Sequence, residues 1–355
     1  MKFIAFYLPQ YHTIPENDKW WGEGFTEWIR VKNAKPLFNG HNQPRIPLNE
    51  NYYDLSDVDV MKYQAKLARE YGIHGFCYYH YWFNGKLLLE KPLEQMLNDK
   101  EVDIPFCFSW ANEPWTQAWA GKSKEILIGQ SYGNETDWEK HLNYLVPFFS
   151  DERYIKVNGM PVFLIYRTES FDKFDKMIEY WNQKLLSIGL SRLYVVEMLT
   201  SYQKKPKCKS SDGVVEFEPM FTIGKGHSYK VLVRNFLRKK LSLIFPMSYK
   251  LYSYDNIWQI IINRNNVYKN KCHYPGAFTD WDNTPRFKNR SAIFKYADPE
   301  KFHKYLLLQV KKSKSDFVFI NAWNEWAEGA YLEPDRKYGD KFLQSVKKVA
   351  DECGG

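Results

Sequence analysis

Apolar positions along the chain gather into short runs separated by longer segments of mixed polarity. Eight runs stand out: "KFIAFYLP", "GFCYYHYWF", "PFCFSWA", "PVFLIYR", "LYVVEML", "GVVEFEP", "YPGAFTDWD" and "DFVFINAW". Most are nearly continuous rather than alternating, which is the pattern of strands buried on both faces of a parallel sheet. Between most of them the apolar residues return at helical spacing: Val58–Glu70, Leu87–Asn98, Thr136–Phe149, Phe171–Ile188, an expanded region Val231–Asn265, Pro299–Lys312 and Lys341–Asp351. One interval, "TSYQKKPKCKSSDG", reads as loop. Eight strand–helix units in 355 residues predict an α/β fold, a (β/α)8 TIM-type barrel, as one domain over 1–355 with an expanded basic helical insertion around 219–270. A doubly wound sheet competes, but it would place a Gly-rich phosphate turn after its first strand. "YLPQYHTIPENDKWWGEG" is no such turn.

A barrel carries its active site on the loops that follow the strands. The ends of these runs are where polar and aromatic residues concentrate. The first supplies Tyr7, Gln10, Tyr11 and His12, then Trp20, Trp21, Glu23, Glu27 and Trp28. The second supplies Tyr79, His80, Tyr81 and Trp82, and the third Trp110, Asn112, Glu113, Trp115 and Trp119. Glu197, Glu216 and Glu218 follow the fifth and sixth runs, and Asp280, Trp281 and Asp282 the seventh. The last run ends in Trp323, Asn324, Glu325, Trp326 and Glu328. Carboxylates among indole rings suit glycoside chemistry: one acid protonates the leaving oxygen, a second carboxylate acts as base or nucleophile, and rings hold the sugar. Plainer readings compete: His80 as a core histidine, Asp280 and Asp282 as helix caps, Glu216 as an ion-pair partner. The pair Glu325 and Glu328 is hardest to explain without chemistry. Two acids this close beside apolar residues repel and desolvate each other, and the same proximity splits their pKa values into an acid and a base.

Composition narrows the picture. The aromatic share is 18%, with 13 Trp, 26 Tyr and 24 Phe, which favours sugar stacking as well as packing. A net charge of +8 is too mild to argue for nucleic acid. Five cysteines without CxxC spacing predict neither a disulfide framework nor a zinc site. "MKFIAFYLP" is too short for a signal peptide, and no apolar stretch reaches the roughly 18 residues of a membrane span. A reducing, cytoplasmic setting is therefore expected. From Pro219 to Tyr254 there is no acidic residue, and "VLVRNFLRKKLSLIF" is a basic amphipathic stretch, which fits either an ordinary barrel helix with its apolar face on the core or peripheral contact with the inner membrane face or a lipid-linked glycan.

"WNEWAEGAYLEPD" resembles the N-E-W-x-E-G…E-P signature of the glycoside hydrolase family 99 barrels, the endo-α-mannosidases and endo-α-mannanases. From "FYLPQYH" through "WWGEGFTEW", "GFCYYHYWF", "SWANEPW" and "TDWDNTPR", nearly the whole chain is similar to the WbsX-type relatives of that family, known from bacterial surface-polysaccharide clusters. The resemblance implies a retaining enzyme acting within an α-linked, mannose-containing glycan, without metal or other cofactor. It implies Glu325 as base on the sugar 2-hydroxyl and Glu328 as the acid at the leaving oxygen, through a 1,2-anhydro sugar. The other residues in the substrate site would be Tyr7, Tyr11, His12, Trp20, Trp21, Glu27, Tyr79, His80, Trp82, Trp110, Asn112, Glu113, Trp115, Glu218, Asp280, Trp281, Trp323, Asn324 and Trp326.

The residues themselves leave ordinary nucleophilic attack open beside the anhydro route. They also leave open a glycosyltransferase or a transglycosylase, since the same acid pair can pass a sugar to a hydroxyl. "DWD" fits the DxD metal motif of nucleotide-sugar transferases, and "NEP" makes Glu113 a rival acid. A non-catalytic glycan-binding barrel is a further reading, which the intact acid pair disfavours. The expected partner is an oligosaccharide or polysaccharide.

Overall fold

The computed structural model describes residues 1–117, 125–224 and 249–354. Nine parallel strands form one nearly closed barrel. They are β1 (Lys2–Tyr7), β2 (Ile73–Phe83), β3 (Phe106–Trp110), β4 (Met160–Ile165), β5 (Tyr194–Leu199), β6 (Gly213–Glu216), β7 (Cys272–Tyr274), β8 (Gly276–Phe278) and β9 (Phe317–Asn321). Their order around the ring is β7-β6-β5-β4-β3-β2-β1-β9-β8. Interior residues such as Phe3, Ile4, Cys77, Phe108, Phe163, Val195 and Phe319 are fully buried, as the continuous apolar runs require.

The seventh run differs from its reading as one strand. Pro275 divides it: Tyr274 pairs with Val215 of β6, whereas Gly276 pairs with Phe319 of β9. Proline has no N–H to continue a ladder, but its carbonyl still accepts from the Phe319 amide at 3.1 Å. Gly276 is required here, because a Cβ at this position would sit 1.8 Å from the Glu216 carbonyl oxygen.

The helical segments follow the periodicity closely. Val58–Glu70 opens on Asp57, whose side chain accepts from the Asp59 amide, and buries Met61, Ala65 and Ala68. Pro299–Lys312 opens on Asp298, capping the Lys301 amide. Helices Lys91–Asn98, Glu135–Ser150, Phe174–Ser187, Tyr254–Asn263 and Lys341–Gly354 complete the outer layer among the described residues. The interval after β5 is loop, as expected, and it is pinned from within. Glu197 accepts from Thr168 Oγ1 (2.8 Å), Gln203 Nε2 (2.8 Å), the Lys207 amide (2.9 Å) and Ser211 Oγ (2.6 Å). The whole of the basic amphipathic stretch, 231–245, with Arg234, Arg238, Lys239 and Lys240, lies outside the described residues, as does Trp119. No helix among the described residues is long and apolar enough to cross a membrane.

Candidate active site

The C-terminal ends of the strands surround a cavity of about 440 Å³. Glu325 and Glu328 form one side of it. They are placed by a tight turn that follows β9: Asn324–Glu325 pairs antiparallel with Ala330–Tyr331 across a single 3-10 turn, Trp326–Glu328. Gly329 closes the turn at φ 66°, in the left-handed region that favours glycine, and a Cβ there would meet the Arg45 guanidinium carbon at 2.9 Å. Asn324 ties the turn to the first strand's end, accepting from the Leu8 amide at 2.8 Å and donating to the Leu8 carbonyl at 3.0 Å. Tyr11 donates to the Asn324 carbonyl. The Trp326 ring stacks on Tyr331 at 3.8 Å and its Nε1 donates to Glu333 at 2.6 Å.

Arg286 is the counter-charge. Its Nη1 donates to Glu328 at 2.8 Å, and its Nη2 lies 3.3 Å from both Glu325 and Glu27. Glu27 is steadied in turn by Arg30 at 3.3 Å. Three carboxylates thus converge on one buried guanidinium. Burial, then repulsion from Glu328, pushes Glu325 up to about 8 despite the arginine, while burial raises Glu328 against a strong opposing pull from Arg286. The closer contact to Arg286, 2.8 Å against 3.3 Å, favours the ionised form of Glu328 more than that of Glu325. A third acid faces them across the cavity: Glu113, pushed by burial up to about 7, lies 3.4 Å from Arg167.

Strand alternation decides which aromatic residues reach this space. On β2, Tyr79 and Tyr81 line the cavity. Their neighbours His80 and Trp82 point outward, where His80 Nε2 meets His141 Nε2 at 2.8 Å and Trp82 stacks on the same imidazole at 4.5 Å. Of the expected substrate residues, Tyr79, Glu113 and Trp281 line the cavity beside Glu325 and Glu328, and Glu27 reaches it through Arg286.

The others serve elsewhere. Trp110 packs on His141 and donates to the Trp82 carbonyl at 3.2 Å. Tyr7 donates to Gln64 at 2.6 Å in the outer layer. His12 is buried and lowered by that burial to about 4. Trp20 meets Trp115 edge-on at 5.8 Å, and Trp115 also packs on Tyr81. Trp21 lies beneath the Arg30 guanidinium at 4.8 Å. Asn112 bridges to the Arg167 backbone at 2.7 and 2.8 Å. Trp323 is fully buried against Phe76. The expectation that Trp323 and Trp326 shape the cavity wall is thus corrected, because both lie behind the turn, in the core. Glu218 accepts from Arg264 (2.7 Å) and Thr222 (2.8 Å). Asp280 is paired with Arg45 at 2.7 Å, and Asp282 accepts from Gln43 at 2.7 Å and lies 2.8 Å from His41 Nε2. Neither DWD carboxylate lines the cavity, which removes the basis for reading it as a metal motif there. Glu216 is an ion-pair partner: against the cost of burial, hydrogen bonding with His273 and the charge of Arg264 hold it down to about 2.

Sequence reasoning missed Arg286, Arg167, Tyr166, Tyr202 and Asn283, all of which line the cavity. Arg286 lies in the "TDWDNTPR" segment, and its signal was indirect: converging carboxylates need a cation.

A parallel barrel with acids at the C-terminal mouth is the plan of many carbohydrate-active enzymes, and solved structures share it at the level of fold. A glycoside hydrolase-like protein superposes with a TM-score of 0.62 at 13% identity, covering 98% of this chain and 93% of that one. The family 99 endo-α-mannosidase of Bacteroides thetaiotaomicron gives 0.53 at 13% identity, covering 99% and 96%. The model of the family described as glycosyltransferase WbsX matches residues 3–346, and the chain belongs to that family. Among curated proteins it is similar to WxcX of two strains of Xanthomonas campestris pv. campestris, itself uncharacterised, at 34% identity over 353 and 355 residues. The chain spans about half the length of these relatives, 98% of its own length matching 49% of theirs.

Proposed function

We propose that this protein is a retaining enzyme that cleaves or transfers sugar units within an α-linked glycan of a bacterial surface polysaccharide, with Glu325 and Glu328 as its proton-transfer pair. The observation that carries the reading is the shared guanidinium: Arg286 reaches two adjacent carboxylates at the cavity mouth, Glu328 at 2.8 Å and Glu325, which burial pushes up to about 8, at 3.3 Å. One proton shared between two acids is the arrangement that acid/base chemistry at a glycosidic oxygen needs. Tyr79, Tyr81 and Trp281 supply flat faces for a sugar ring, and Asn283 and Gln10 supply polar edges.

The resting arrangement bears on roles. The resemblance to the family 99 hydrolases implies Glu325 as base and Glu328 as acid. Those roles require Glu328 to carry the proton when the leaving oxygen departs and Glu325 to be ionised when it takes the 2-hydroxyl proton, whereas burial favours the neutral form of Glu325. Amide substitution tests the pair: Glu325→Gln and Glu328→Gln keep shape and lose proton transfer, so each lowers turnover of a defined α-linked oligosaccharide by about two to four orders of magnitude. Near-wild-type turnover in either folded variant sinks the assignment. The acid is then identified by leaving group. Its variant recovers activity on a glycoside whose leaving group needs no protonation, and the base variant does not.

A further inference from the structure

Behind the Glu325–Glu328 turn lies a second cavity of about 580 Å³, inside the range of roughly 300–1,000 Å³ typical of ligand pockets. We propose that it is a second carbohydrate-binding cleft, taking one neutral pyranose unit of a glycan. The inference rests on the reading that this protein handles glycans, but not on the chemistry assigned to the first cavity. The two spaces share no lining residue, and Trp326 stands between the second cavity and the acid pair.

The walls are the loop 47–53 and one face of the helix Val58–Glu70, and Trp326 and Glu333 lie at the floor. Tyr63 projects from the helix with 56% of its surface exposed, an unusual solvent position for a large ring. It offers an apolar face of the kind a pyranose stacks on. Asn49 and Asn51 line the same cleft with amides that can both donate to and accept from sugar hydroxyls. Asn49 and Glu50 are consecutive non-glycine residues at φ 56° and 57°, a costly backbone conformation that recurs at ligand clamps.

Glu333 sets the chemistry of the floor. It accepts from Trp326 (2.6 Å), Tyr53 (3.0 Å) and Gln64 (2.7 Å). Trp323 also acts on this carboxylate, so ligand hydroxyls are met at the rim, by the Asn49 and Asn51 amides. All of these partners are neutral, and burial pushes this acid up to about 7, so it does not demand a cation. The mouth disfavours one as well: Lys32 lies 4.0 Å from the centre of the Tyr52 ring, and Arg336 pairs with Glu50. The cleft is thus suited to hydroxyls rather than to an ammonium group. Its occupant would touch the indole carried by the same turn as Glu325 and Glu328, so a long glycan could be held here while a remote part of it reacts.

The probes are methyl α-D-mannopyranoside, methyl α-D-glucopyranoside and methyl α-L-rhamnopyranoside, with methylammonium as the cationic control. Calorimetry with wild type, Glu325→Gln and the Tyr63→Ala/Asn51→Ala double variant gives affinities, and a crystal soaked with the tightest glycoside locates the ring. Both changes in the double variant are in the outer wall, and a matching thermal melt verifies its fold. The expected result is a glycoside bound equally by wild type and Glu325→Gln, at least tenfold more weakly by the double variant, with the ring against Tyr63. Unchanged affinity in the double variant, density in the first cavity alone, binding of methylammonium only, or no glycoside bound each overturns the proposal. Cleavage of a short substrate that reaches only the first cavity is scored separately, so a failure there counts against the proposed chemistry and not against the cleft.

Discussion

Replacing Arg286 by methionine removes the cation that three buried acids share. At the 2.8 Å separation from Glu328, a unit charge pair interacts by roughly 6 kcal/mol at an effective dielectric near 20. The Glu328 side chain keeps 18% of its surface exposed, and relaxation screens the pair further, so about half of that, roughly 3 kcal/mol, is a fair expectation. At 1.36 kcal/mol per pH unit this raises Glu328 by about 2 units. The sign follows from the charge. Arg286 favours the ionised form, its loss favours the protonated form, and the singly ionised pair then exists only at higher pH. The acid limb of the kcat/KM profile should therefore move about 2 units toward alkaline pH, whereas Arg286→Lys, which keeps the charge, should move it little. Deleting one partner of a buried pair typically costs about 3–5 kcal/mol of stability, so the variant needs a second readout. Its remaining acids would have folded-state pKa values further above their unfolded ones. Stability from that source is present below the unfolded value and lost as pH rises through the folded one. The melting deficit against wild type should thus be smaller at pH 5 than at pH 8. A folded Arg286→Met protein whose acid limb and melting deficit are both independent of this change would refute the electrostatic reading.

Other outcomes follow from the same groups. Thermal stability of the wild type should peak near pH 6. Above that, Glu325 and Glu333, raised to about 8 and about 7, are forced to ionise, and below it His12 and His74, lowered to about 4, are forced to charge; Glu325→Gln should flatten the alkaline side of the melting curve. A substrate with hydrogen or fluorine in place of its 2-hydroxyl should not react by the anhydro route, and product analysis showing efficient turnover of it would point to an enzymic nucleophile. Asp282→Ala leaves His41 and Gln43 without their shared acceptor, so it should lower the melting temperature and loosen the loop 41–45 to hydrogen exchange while leaving binding in the second cleft unchanged. Vesicle co-sedimentation should show binding to anionic lipid that falls with salt and drops when Arg238, Lys239 and Lys240 are made neutral; equal recovery with neutral vesicles rejects peripheral attachment.

Much of this fold is legible because periodicity and burial are one-dimensional signals. Val58–Glu70 and Pro299–Lys312 begin and end where the apolar spacing and the capping aspartates place them. The acid pair is legible because adjacent buried carboxylates have few structural uses. The aromatic rim was overread, since a ring at a strand end points inward or outward by turns: Tyr79 and Tyr81 face the cavity, His80 and Trp82 the helices. Counting by two along β2 would have separated them. Arg286 and Arg167 were illegible for a different reason. An arginine's partners are chosen across the fold, 39 and 259 positions away for Arg286 with Glu325 and Glu27, and no local pattern records such distances.

The break at Pro275 has a mechanical side. Hydrogen-bonded ladders stitch most of this ring, yet among the described residues none joins β6 to β8. At that seam the backbones meet glycine against carbonyl, and Asn321 at the end of β9 donates across it to the Glu218 carbonyl at 3.0 Å. Phe217, just beyond β6, and Trp281, just beyond β8, are the cavity's linings on either flank of it. A ring with one unladdered join should yield there first, because fewer hydrogen bonds part at it than along a ladder. The aperture of the mouth should then be read at Phe217 and Trp281, while the acid pair, one strand from the seam on the β9 side, is held to the end of β1 through Asn324.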